Sequence, residues 1–176
     1  QSKIINLNYT DYNPKIIAVS KTFKIDHINP LIEHGHKHFG ENKVQEAIEK
    51  WSEVKLKNNN LMLHMIGKLQ TNKVKLALKI FDYIHSLDSE KLALKISEEQ
   101  KKNNKKFKFF IQVNIGNEKQ KSGVDKDNKI NFNNYCKKLN LDVIGLMCIP
   151  PVEKDPVKYF EIMSDLKNFI NLEELS

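Results

Sequence analysis

The chain has 176 residues, 40% of them hydrophobic and 29% charged, with a mean hydropathy of −0.54. That is enough for one domain with a proper core, and no apolar run approaches the roughly 18 residues of a membrane span. The net charge of +7 is carried by lysine alone, with no arginine anywhere; a nucleic-acid groove would recruit arginine for bidentate and stacking contacts, so the charge reads as solvated faces and no nucleic-acid partner is expected.

QSKIINLNYTDYN (1–13) has neither the apolar core nor the small-residue cleavage site of a signal peptide, and it does not begin with Met. IIAVS (16–20) is an unbroken apolar run between Pro14 and Lys21 and predicts a fully buried first strand. A short helix then starts near Asp26 and ends at Gly35, a natural C-terminal cap. The second strand is brief and ends in HFGEN (38–42). The next helix carries Val44, Ala47, Ile48, Trp51 and Val54, close to an i, i+3, i+4, i+7 stripe. LMLHMI (61–66) is the third strand, NKVKLALKIF (72–81) a helix and DYIHSL (82–87) the fourth strand. DSEKLALKISEEQKK (88–102) opens on a capping pattern and continues as a helix. FKFFIQVNI (107–115) and LDVIGLMCI (141–149) are the fifth and sixth strands. The last helix starts at Asp155-Pro156, with proline at the first helical position, and runs to about Ile170.

Strand and helix alternate without a linker, low-complexity block or repeat. This predicts a single domain over residues 1–176, built from βαβ units on a parallel sheet. Two closures fit, an open doubly wound sheet and a β/α barrel. SKTFKID (20–26), rather than a glycine-rich phosphate loop, follows the first strand, which favours a (β/α)8 barrel of the TIM type. A complete barrel has eight strands and about 250 residues, so with about six β/α units visible this one is incomplete.

In such a protein the active groups sit where strands end and loops begin. Lys21 ends the first strand, Asn42 the second, Gly67 follows the third, HSLDS (85–89) and QVNIG (112–116) end the fourth and fifth, and GLMCI (145–149) lies on the sixth. Polar or small residues thus converge on one rim, as a small-molecule site requires. A desolvated lysine amine there is a nucleophile toward aldehydes and can form a Schiff base; by position alone the plainer reading of Lys21, as the first solvated residue after a strand, is favoured.

IIAVSKTF, HFGENKVQE, LHMIGKLQTNK, IHSLDSEKLA, IQVNIGNEKQKSG and GLMCI, in that order and over nearly the whole chain, resemble successive signatures of the pyridoxal-phosphate homeostasis proteins. These were formerly called proline synthetase co-transcribed homologues. The resemblance implies a single-domain barrel similar to the N-terminal domain of alanine racemase. It implies pyridoxal 5'-phosphate on Lys21 as a Schiff base, with Asn42 beside the cofactor ring and Ile66 and Met147 lining the same pocket. It further implies a cytoplasmic, monomeric carrier that delivers the cofactor to apo-enzymes without turnover of its own. The alternative is an amino-acid racemase or decarboxylase of the same fold. Racemisation needs a base on each face of the substrate adduct; similar racemases take one from a second, β-rich domain, for which this chain has no room. Family members continue into an SMGMS-like segment, a further helix and an R-I-G strand end that hold the phosphate. Here NLEELS (171–176) stops where that segment begins, so the resemblance implies a chain truncated at both ends, with its phosphate-holding residues beyond Ser176.

The remaining candidates have plainer readings. HGHKH (34–38) has alternate spacing near a helix end and no defined ligand geometry, so no metal site is expected. His64 and His85 read as hydrogen-bonded core histidines, with a pocket-facing role as the alternative. Lys119 and Lys121 read as part of a solvated loop. Asp88 and Asp155 read as helix caps, and Trp51 and Phe160 as members of core-facing stripes. Cys136 and Cys148 are too far apart in the sequence for a metal motif and read as reduced thiols.

Overall fold

The computed structural model describes residues 14–102, 105–116, 118, 122–125 and 129–176. Seven strands form one parallel sheet: β1 (Ala18–Val19), β2 (His38–Glu41), β3 (Met62–Met65), β4 (Tyr83–Leu87), β5 (Lys108–Gln112), β6 (Asp142–Met147) and β7 (Glu174–Leu175). Each strand pairs only with its neighbours in sequence. Among the described residues six α-helices connect them: α1 (Ile25–Glu33), α2 (Val44–Lys57), α3 (Val74–Ile80), α4 (Glu90–Gln100), α5 (Lys129–Lys138) and α6 (Pro156–Phe169). The sheet curls with helices on its outer face, as a β/α half-barrel.

Alternation along the strands splits the sheet into two environments. Phe39, Leu63, Met65, Ile84, Phe109 and Ile111 point outward into the main core, where they meet Trp51 of α2, Leu78 of α3, Ile96 of α4 and Met163 of α6. His38, Gly40, His64, Tyr83 and Lys108 pair across the strands on the inner face. Phe110 and Met147 are buried apolar residues outside the main core.

The helix ends follow local chemistry. Gly35 follows α1 with a φ of +88°, which costs glycine nothing. Ser89 caps α4 by accepting from the Leu92 N–H, and Asp155 caps α6 by accepting from the Val157 N–H at 3.0 Å, with Pro156 in the first turn.

Several expectations need correction. The first strand is not fully buried: Ile16 and Val19 are 47% and 48% exposed, because β1 is an edge of the sheet. A seventh strand, β7, pairs with β6 beyond the six anticipated. Helix α5 was not anticipated; it seats Phe132 and Cys136 in the core. Phe160 is 49% exposed; the core-facing stripe of α6 is the buried Met163 flanked by the half-buried Tyr159 and Leu166. The cap of α4 is Ser89 rather than Asp88. Trp51 is fully buried, as its stripe requires, and its ring packs on Phe39 at 4.8 Å between centroids.

Candidate functional site

Parallel strands bring their C-terminal ends to one rim, and the four residues expected to form the site stand there. Lys21 follows β1 within two residues, Asn42 immediately follows β2, Ile66 immediately follows β3, and Met147 is the last residue of β6. Lys21 is exposed, and its amine has no hydrogen-bond or ion-pair partner among the described residues. Asn42 and Ile66 are half-buried and Met147 is buried. The chain just after Ile66 passes close to Asn42: a Cβ placed on Gly67 would lie 2.3 Å from the Asn42 carbonyl oxygen, so only glycine lets the β3 end pass so near. Over Gly40 the side chains of Ile66 and Ile17 crowd in, at 2.9 and 3.1 Å from where a Cβ would stand. No hydrogen bond joins Lys21 to Asn42, Ile66 or Met147 among the described residues.

The backbone around Lys21 is held from both sides. On one side the Ser20 N–H donates to the Gly40 carbonyl at 3.0 Å, the Ser20 hydroxyl donates to Glu41 Oε1 at 2.8 Å, and Lys50 Nζ donates to the Ser20 carbonyl at 2.9 Å. On the other side the Thr22 N–H donates to Glu46 Oε1 at 2.8 Å. Thr22 has a φ of +68°, a region that a β-branched residue enters at a cost of about 1–3 kcal/mol. The two grips meet at Lys50, whose ammonium also lies 2.9 Å from Glu41 Oε1 and 3.1 Å from Glu46 Oε1. Glu41 is completely buried, and Trp51 Nε1 donates to the same Oε1 at 3.0 Å. Its other oxygen, Oε2, is buried without a hydrogen-bond partner among the described residues. The Thr22 N–H holds the Glu46 carboxyl below its ordinary pKa against the opposing effect of burial, and Lys50 adds to the lowering.

Deeper in the inner face is a second polar network. His38 Nδ1 lies 3.0 Å from His64 Nε2, His64 Nδ1 lies 2.8 Å from His85 Nε2, and His85 Nδ1 lies 2.8 Å from the Ser176 hydroxyl. Tyr83 stacks on His64 and Phe110 on His85, at 4.3 and 4.2 Å between centroids. Burial, reinforced by the neighbouring His85 and His38, pushes the His64 pKa down to about 2, and burial alone pushes His85 down to about 4. His38 is lowered by burial, then by Lys15, His36 and Lys37. The rings are therefore neutral at pH 7. Each N···N contact then holds one proton, so the three imidazoles share one tautomeric sense along the row. A cavity of about 190 Å³ opens beside this row, lined by His38, His64, Tyr83, His85, Lys108 and Ser176; it touches none of the four rim residues. His64 and His85 are thus buried and hydrogen-bonded, and they also line a cavity.

His34 is exposed and His36 Nε2 meets the His38 carbonyl at 2.8 Å. Among the described residues, no three His, Cys, Asp or Glu side chains are arranged to hold a metal ion. Lys119 and Lys121 lie outside the described residues. Burial pushes the Cys136 and Cys148 thiols up to about 12 and about 11, so both are unreactive. No described helix is long and apolar enough to cross a membrane.

Sequence reasoning missed Glu41, Glu46 and Lys50. The available signal was a glutamate inside an apolar strand, followed nine and ten residues later by Lys50 and Trp51 on the face of a helix. It also weighed each histidine alone, although their meeting depends on strand register.

Residues 5–174 match the family of the alanine racemase N-terminal domain. The pyridoxal phosphate homeostasis protein of Buchnera aphidicola is 38% identical over 155 residues, covering 86% of this chain and 66% of that protein. That of Aquifex aeolicus is 38% identical over 163 residues, covering 90% and 71%. The chain thus spans about two thirds of the length of these relatives. Among solved structures, PipY of Synechococcus elongatus PCC7942 with PLP bound is 29% identical, with a TM-score of 0.80 over 99% of this chain and 86% of that one. Alanine racemase of Clostridium difficile 630, at 16% identity and a TM-score of 0.73 over 99% of this chain and 48% of that one, shares the fold. With nearly its whole length inside one family match and its strands in the same arrangement, the chain belongs to the alanine racemase N-terminal domain family and, within it, to the pyridoxal phosphate homeostasis proteins.

Proposed function

We propose that the protein binds pyridoxal phosphate covalently and reversibly through the Lys21 amine and keeps it in reserve for apo-enzymes, without turnover of its own. One observation carries this reading: Lys21 presents an amine without a partner among the described residues, from a turn whose backbone is fixed on both sides. A primary amine fits an aldehyde, condensing with it and releasing water. Asn42 and Ile66, drawn together at the ends of β2 and β3, supply a polar and an apolar flank for the ring, and Met147 adds a second apolar wall. The bound group would supply an electron-withdrawing ring conjugated to its carbonyl carbon. The residues of this chain would bind it and orient it. Reversibility suits a reserve, because a competing amine on an apo-enzyme can displace Lys21 without leaving a by-product on the protein. The relatives named for pyridoxal phosphate homeostasis support this reading over a racemase, to which the likeness is one of fold. The free, buried thiols of Cys136 and Cys148 suit a cytoplasmic setting.

The test is borohydride reduction with equimolar pyridoxal phosphate, followed by peptide mapping. Among so many lysines the label is expected on Lys21, with a visible absorbance band that Lys21→Ala abolishes. A label spread over other lysines would refute the site. Interconversion of amino-acid enantiomers by the loaded protein would refute the carrier role.

A further inference from the structure

We infer that Glu46 and Lys50 are positioning residues for the Lys21 amine, fixing the two peptide planes that flank its Cα. This rests on the reading of Lys21 as the aldehyde-binding amine. A side chain's starting direction is set by the φ and ψ of its own residue, and those are set once the peptide planes before and after it are fixed. The plane before Lys21 contains the Ser20 carbonyl, held by Lys50 Nζ at 2.9 Å. The plane after it contains the Thr22 N–H, held by Glu46 Oε1 at 2.8 Å. Lys50 and Glu46 lie one turn apart on α2 and pair with each other at 3.1 Å, so a single helix sets both planes. The left-handed Thr22 is the complementary observation. A β-branched residue does not remain at a φ of +68° unless its surroundings hold it there, and the Glu46 contact is such a hold. Glu41 completes the arrangement from below, binding Lys50 and the Ser20 hydroxyl through one oxygen. The clamp leaves the Lys21 amine free while fixing the backbone from which it projects.

Two readouts test this in Glu46→Ala, Glu46→Gln and a control, Glu49→Ala, which removes an exposed carboxylate of the same helix paired only with Gln45 among the described residues. The first is amide hydrogen exchange across residues 20–23 in the cofactor-free protein. The second is the share of borohydride-trapped pyridoxal phosphate found on Lys21 at equimolar cofactor. Glu46→Ala is expected to speed Thr22 exchange about tenfold and to cut the Lys21 share about fivefold, the equivalent of one hydrogen bond. Glu46→Gln keeps an acceptor for the Thr22 N–H and should restore most of both. Ser20→Ala, which removes the hydroxyl grip on the other side, gives a second and smaller loss of the Lys21 share. The Glu49 control should match wild type. Faster exchange with an unchanged Lys21 share in Glu46→Ala, or equal losses in the Glu49 control, overturns the clamp alone. Wild-type labelling away from Lys21 overturns the clamp and the proposed function together.

Discussion

Strand β2 carries both polar networks, on opposite faces, and they are built on opposite electrostatic terms. On the helix side Glu41 joins Lys50, Trp51 and Ser20 in a network of formal charges. On the inner side His38 opens a row of neutral imidazoles through His64 and His85 to Ser176. Burying a carboxylate costs less beside a cation and several donors, so the first network is tied to one ammonium group. A buried imidazole avoids the same desolvation cost by giving up its proton, so the second network needs no counter-charge. The two therefore fail differently, the first when a partner is removed and the second when protons are added.

The largest expected effect removes the cation. Lys50→Met leaves Glu41 buried with no charge partner and should lower the unfolding free energy by about 3–5 kcal/mol at neutral pH, read by urea titration. A loss below about 1 kcal/mol would mean that the network behaves like a surface pair. Acid addresses the other face. The folded His85 has a pKa of about 4 against 6.5 unfolded, so the unfolded chain takes up protons that the folded one refuses. Its contribution is fully present above 6.5 and is lost as pH falls toward about 4; at about 1.4 kcal/mol per pKa unit this is about 3 kcal/mol. Glu46 is lowered from 4.5, so its contribution is lost only below that pH, outside most of the histidine window. Urea titrations between pH 7 and 4.5 should therefore slope in wild type and slope less steeply in His85→Phe, where His64 still refuses a proton; equal slopes would refute a neutral row. A smaller effect concerns the rim. Asn42→Ala should weaken pyridoxal phosphate binding by about 1 kcal/mol in a cofactor titration while leaving the urea midpoint near wild type; an unchanged dissociation constant would remove Asn42 from the site. The smallest is a control remote from both networks: Asp155→Ala loses the cap of α6 and should cost about 0.5–1 kcal/mol in stability without altering cofactor binding.

Apart from α5, the alternation of strands and helices from β1 to β6 was legible, because each apolar run is short and the helices between them carry apolar stripes or caps. Helix α5 was not, because KINFNNYCKK spreads its two core residues, Phe132 and Cys136, among asparagines and lysines. Strand β7 is two residues long and defined by pairing rather than composition. An apolar run such as IIAVS does not announce whether its strand will be central or an edge, and this is why Val19 was misread. Ile66 and Met147 came only from the family resemblance, whereas that Lys21 and Asn42 end their strands was legible because parallel strands send their ends to one rim. Their support was not, because Glu46 reaches Thr22 across 24 residues and Lys50 reaches Ser20 across 30, contacts that exist only once α2 docks.

The sequential strand order also bears on how the chain is assembled. Each strand meets a partner supplied by the preceding β/α unit, so the loops to be closed are short and their entropy changes little from one unit to the next. Such sequential pairing lets the sheet grow from β1 onward while synthesis is still under way. The bond between His85 and Ser176 spans 91 residues and lies outside that stepwise scheme. It is expected to form after the neighbouring strands, which makes the Ser176 end of the histidine row a late-forming seal on an interior that earlier units have already shaped.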